Sequence, residues 1–186
     1  MKILVFTEGT ILMHKTAEGK SREEIVEQPR KEGIQREESS LKYGSKYEVP
    51  VEPNSVHDYA NYIPNGNAVD KLTKWKSQGA TIYYLSSRRI GMEVEAIQAV
   101  LKKYNFPDSG NLLFRKQGED YKAAAEKLAP DILIEDDCES IGGEKEMIYP
   151  HILPDKQRLL KSIVVKEFAG IDNLPDNLAE LTNYTH

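Results

Sequence analysis

The sequence predicts a single doubly wound α/β domain over residues 1–186, a parallel sheet inside a three-layer α/β/α sandwich. Three observations predict it: short apolar runs without polar alternation, stretches of helical period between them, and polar residues directly after the apolar runs. Unbroken apolar strands belong to sheets covered on both faces, and regular alternation of strands with helices makes such a sheet parallel.

KILVF, residues 2–6, is the first strand, and it runs straight into Glu8, Gly9 and Thr10. Residues 15–62 follow as a charged insertion, a flap or minimal cap, crowded with Lys, Arg and Glu and poor in large apolar side chains. Within it, Ser21 and Glu24 form a capping-box signature for a helix over SREEIVEQ that Pro29 should end. YEVPVE reads as a short edge strand, because Pro50 lacks a ladder donor.

Helical spacing resumes with Ala68, Val69, Leu72 and Trp75 and stops at Gly79. ATIYYL is the next buried strand, followed by a helix through GMEVEAIQAVLKKY with Val94, Ile97, Leu101 and Tyr104 on one face. The strand NLLFR, the helix GEDYKAAAEKLA and the strand DILIE come next, with Pro130 at the last boundary. A short strand at EMIYPHI, a helix around DKQRLLK, a strand at SIVVKEF and a helix at DNLAELTN complete the prediction.

Composition narrows the partners. The net charge of -5 disfavours bulk attraction to nucleic acid or anionic lipid, while leaving room for a local basic cluster that holds a small anion. No apolar run approaches the roughly 20 residues that cross a bilayer, so no membrane partner is expected. The first strand meets Glu8 too soon, and lacks a small-residue cleavage site, to read as a secretion signal. A single cysteine, Cys138, gives neither an internal disulfide nor a zinc pattern and fits a reducing, cytoplasmic setting. It reads as a packed small residue. His14, His57, His151 and His186 show no metal-ligand spacing; His14 could face the pocket, and reads first as a capping or surface residue.

In open α/β sheets ligands bind beyond the carboxyl ends of the strands, so the residues there are the candidates. The first strand offers Glu8, Gly9 and Thr10; the second offers the hydroxyls of Ser86 and Ser87 and the cations of Arg88 and Arg89, all able to donate to phosphate oxygens. Ser86 could equally serve as a helix N-cap, and only one of the two arginines is expected to touch a ligand. The fourth strand ends in Asp136 and Asp137, adjacent carboxylates that suit a hard cation such as Mg²⁺, with Glu135 and Glu139 beside them. Lys122, on the preceding helix, could place a positive charge across the mouth, although Lys116 and Lys127 compete for that role.

Taken together, FTEGT, LSSR, GEDYK and LIEDD stand in the order and spacing of the motifs of the haloacid dehalogenase-like superfamily, which the chain resembles over nearly its whole length. The resemblance implies a Mg²⁺-dependent phosphatase-type site acting on a small phosphorylated molecule. In it Ser86 and Lys122 hold phosphate, Asp136 with Asp137 beside it anchors the metal, and Glu8 is the catalytic acid/base; Thr10, Ser87 and Arg88 are further phosphate-binding candidates and Glu8 a further metal ligand. The departure lies at the centre: Phe6 stands where the family has its nucleophilic aspartate, and Thr7 points to the opposite face by strand alternation. The aspartyl-phosphate route is therefore closed.

Two function classes follow. One is a phosphohydrolase in which metal-activated water replaces the aspartate and Glu8 assists as base; the other is a catalytically silent binding or regulatory module on the same fold. Homo-oligomerisation is left open.

Overall fold

The computed structural model describes residues 1–32, 53–88, 91–115 and 119–185. The predicted YEVPVE strand and Arg89 lie outside them. A five-stranded, all-parallel sheet is built from β1 (Lys2–Phe6), β4 (Thr81–Ser86), β5 (Leu112–Phe114), β6 (Ile132–Asp136) and β7 (Lys161–Val165), in the order β5-β4-β1-β6-β7.

β1 is central because it is apolar on both faces. Ile3, Leu4 and Val5 are all fully buried, and strand alternation sends them to opposite sides. Ile3 and Val5 join one core with α2 (Ala68–Ser77), α3 (Gly91–Lys103) and α6 (Leu178–Asn183), through Leu72, Trp75, Ile97, Leu101 and Leu181. Leu4 joins another with Leu85, Leu133, Ile148 and α4 (Tyr121–Leu128), through Tyr121 and Ala125. These two cores are the outer interfaces of the three-layer sandwich. The chain winds from β1 outward through β4 to β5 and then crosses back to β6 and β7, so the strand order reverses at β1 and leaves a crevice at its carboxyl end. Among the described residues no helix is long and apolar enough to cross a membrane.

A two-stranded antiparallel ribbon, β2 (Leu12–Met13) with β3 (Ile63–Pro64), was not anticipated from the sequence. Between its strands, α1 (Arg22–Glu32) packs Ile25 and Val26 with Ala17, Phe168 and Met13. The capping box forms at its start: the Ser21 N–H donates to Glu24 Oε2 at 2.9 Å, and the Glu24 N–H to Ser21 Oγ at 3.4 Å. Pro29 does not end this helix, which continues to Glu32. The lost donor at Pro29 is outweighed because its ring shares the buried face with Ile25 and Val26. His14, expected at the surface or as a cap, is only 1% exposed; its ring meets Phe168 edge-on, 5.9 Å between centroids.

The EMIYPHI strand is replaced by 3₁₀ turns at Gly143–Glu146 and Tyr149–His151. The N–H groups of Ile148 and Tyr149, which a strand would commit to a ladder, donate instead to the Glu135 carboxylate at 2.6 and 3.0 Å. The DKQRLLK helix shrinks to α5 (Pro154–Gln157), and β7 stops at Val165, so Glu167 lies beyond the strand rather than in it.

Trp75 anchors the larger core, fully buried with its indole N–H donating to Pro175 O at 2.9 Å. Trp75→Ala should cost about 3–5 kcal/mol of stability, read as a lowered urea midpoint by far-UV circular dichroism.

Candidate functional site

Beyond Phe6 the chain folds back sharply: the N–H groups of Ile11 and Leu12 both donate to Thr7 O, at 3.0 and 2.9 Å, and the Gly9 N–H donates to Leu12 O at 2.9 Å. Gly9 sits at φ +86, and a Cβ there would stand 2.8 Å from Asp136 Oδ2 and 3.3 Å from Glu167 Cγ. The position needs glycine for both conformation and space. The Phe168 N–H donates to Gly9 O at 2.7 Å, tying the segment after β7 to the same turn.

The turn throws Glu8 sideways onto the end of β4. Its carboxylate accepts the Ser86 hydroxyl at 2.7 Å and the Ser87 N–H at 3.3 Å, and lies 3.5 Å from Arg88 Nε. The Thr7 hydroxyl also donates to it. Ser86 Oγ accepts the Arg88 N–H at 3.1 Å as well, so it organises its own loop while facing Glu8. Arg88 is pinned in turn: Nη2 donates to Ser87 Oγ at 2.6 Å, Nη1 donates to the Tyr59 hydroxyl, and Cζ lies 4.6 Å from the centre of the Tyr59 ring. Hydroxyl, backbone N–H and guanidinium thus converge on one carboxylate, the donor set that binds an oxyanion.

On the other side of Gly9 lies an acid floor. Asp136 is 2% exposed, its oxygens accepting the Thr10 hydroxyl at 2.7 Å and the Cys138 N–H at 2.9 Å. Burial, reinforced by the nearby Glu167 charge, pushes its carboxyl up to about 7. Glu167, raised by its own burial, accepts the Ser140 N–H at 2.6 Å and the Ser140 hydroxyl at 2.7 Å. Glu8, Gly9, Arg88, Asp136 and Glu167 all line one cavity of ≈ 60 Å³, whose wall also includes Phe6, Tyr59 and Tyr121. Phe6 packs edge-on against Tyr121, with centroids 5.9 Å apart, and the Tyr121 hydroxyl donates to Ser87 O at 3.1 Å.

Of the residues singled out in the sequence, Glu8, Ser86, Ser87, Arg88 and Asp136 come together. Others go elsewhere. The Thr10 hydroxyl is spent on Asp136. Asp137 turns outward, accepting the Glu167 N–H at 3.0 Å and standing 3.4 Å from Lys166 Nζ. Lys122 enters α4 through its N–H, bonded to the Asp120 cap at 3.0 Å, and is not among the residues lining the cavity, whereas Arg88 is.

Glu167 lies inside the predicted strand SIVVKEF, so no strand-end position points to it, whereas β7 ends at Val165. Nothing in the local spacing could have nominated Tyr59, which reaches Arg88 from 29 positions away. The donor set does not fit Mg²⁺ in the manner the resemblance implies. Phe6 supplies no ligand, Glu8 is engaged with the β4 donors, Asp137 faces away, and no three candidate ligand groups cluster among the described residues.

No protein-family model matches the chain, and no curated protein matches it. In structure it is similar to the class C acid phosphatase of Bacillus anthracis. The tungstate-bound form gives a TM-score of 0.53 at 15% identity over 91% of this chain and 68% of that one. A second structure of that enzyme gives 0.54 at 14% identity over 98% and 76%. It is also similar to the Pnkp1/Rnl/Hen1 complex, with a TM-score of 0.50 at 14% identity over 89% of this chain and 46% of that one. At these identities the likeness is one of fold: a parallel α/β sheet.

Glu135, on the opposite face of β6, is also pushed up to about 7 by burial. Both carboxyls hold protons in the folded chain that they release near pH ~4 when unfolded. Stability should therefore fall as pH rises from about 4 to about 7 and level off above. Asp136→Asn and Glu135→Gln should each flatten part of that decline in the melting temperature; an unchanged slope in both would show that these carboxyls titrate normally.

Proposed function

We propose that this is a phosphatase-fold protein that binds the phosphate group of a small molecule at the Ser86–Ser87–Arg88 turn and does not hydrolyse it. One observation carries the reading: three donors of different kinds already converge on an oxyanion, the Glu8 carboxylate, whose oxygens stand in for those of a phosphate. Arg88 adds a delocalised cation held by Tyr59, a geometry suited to phosphate recognition. That a protein of similar fold binds tungstate, another tetrahedral oxyanion, is in keeping with it.

The silent half of the reading rests on Phe6. Its ring occupies the strand-end position of a nucleophile, packed edge-on to Tyr121, and has no lone pair with which to attack phosphorus. A role for Glu8 as general base is not supported either, since its oxygens are taken up by hydroxyl and N–H donors. The metal-assisted hydrolase therefore gives way to the binding module, with no nucleic-acid or membrane partner invoked.

Purified protein should show no turnover of a panel of phosphate monoesters above background, with Mg²⁺ or with a chelator. Inorganic phosphate followed by calorimetry or NMR should bind, and Arg88→Ala should weaken that binding roughly ten- to hundredfold by removing a charged donor. Turnover by the native chain, or phosphate binding indifferent to Arg88, would overturn the proposal.

A further inference from the structure

The seat that suits an anion is filled by the protein's own carboxylate. An external phosphate would need the Ser86 hydroxyl, the Ser87 N–H and the Arg88 guanidinium, and Glu8 holds those groups at 2.7, 3.3 and 3.5 Å. Two anions cannot share them, because like charges a few ångströms apart in a poorly solvated site repel strongly. We propose that Glu8 is a built-in competitor, holding the seat closed so that a phosphate-bearing ligand enters only by displacing it. The inference rests on the reading that this seat takes phosphate.

Three features make Glu8 an effective and reversible occupant. It is tethered on the turn between β1 and β2, so it is always present at high local concentration and needs no diffusional encounter. The Thr7 hydroxyl, buried beside β4 and 3.1 Å from Leu85 O, belongs to the seat and adds a donor to the carboxylate. Finally, the acids lie on the opposite side: Asp136 and Glu167 flank Gly9, so a Glu8 carboxylate swinging inward meets other acids and leaves the donors of β4 behind, which favours the seated position. Displacement remains feasible because the Glu8 side chain is 12% exposed and borders a cavity of ≈ 60 Å³.

An occupied seat lowers apparent affinity by the fraction of molecules in which it is free. With the open form at about one-tenth or less, removing the competitor should tighten binding at least roughly tenfold. The test compares inorganic phosphate binding, by calorimetry, to the native chain, Glu8→Ala, Glu8→Gln and Arg88→Ala, with folding checked by thermal melts. Both Glu8 variants should bind phosphate at least tenfold more tightly than the native chain. In Glu8→Ala acetate should also compete with phosphate, because it restores the missing carboxylate; in the native chain it should not. Glu8→Gln keeps the side-chain volume and carries the same comparison if Glu8→Ala does not fold. Should both variants bind no tighter than the native chain while Arg88→Ala loses binding, the seat is real and the competitor is not. Should no variant bind phosphate, the seat itself is refuted and the competitor with it.

Discussion

The contact between Gly9 and Asp136 governs this molecule's working end. Only a residue without a Cβ can adopt φ +86 there with the Asp136 carboxylate so close, and that approach brings the tips of β1 and β6 together. The same turn accepts the Phe168 N–H, so the segment after β7 is drawn in and carries Glu167 to the other side of Gly9. Glu8, one residue earlier, is left to point the opposite way, toward β4. A single glycine conformation thus separates an acid floor from an anion seat.

That separation has an electrostatic logic. Asp136 and Glu167 are both buried, and each is met by hydroxyl and backbone N–H donors, which compensate only in part for lost hydration. Their response is a raised proton affinity. Glu8 has the better environment, with a guanidinium and two hydroxyls around it. The aromatic residues tie these parts together: Tyr59 positions Arg88, and Tyr121 packs against Phe6 while its hydroxyl fixes the Ser87 backbone. Phe6 therefore acts as structural packing at the carboxyl end of β1.

Where local sequence signals were overruled, burial or hydrogen bonding supplied the cause. Pro29 is a strong helix terminator, yet its ring lies on the buried face of α1 and the helix passes through it. The apolar Met147, Ile148 and Ile152 suggested a strand, and all three are indeed buried, but the Glu135 carboxylate captures the N–H groups of Ile148 and Tyr149 before a ladder can. The capping box at Ser21 formed as read, because its partners are three residues apart and need nothing from the rest of the chain.

Periodicity alone determined the alternating elements, the burial of an apolar first strand and the acidic and hydroxyl-bearing strand ends. All of these are properties of residues close together in the chain. The tertiary structure decided how those strand ends are used: that Glu8 faces Ser86 rather than Asp136, that Asp137 turns to Lys166, that Glu167 joins the floor and that Tyr59 holds Arg88. The reason is physical. A side chain's direction at a turn is set by a dihedral angle and by the nearest available donors, and those donors arrive from strands and loops tens of residues away.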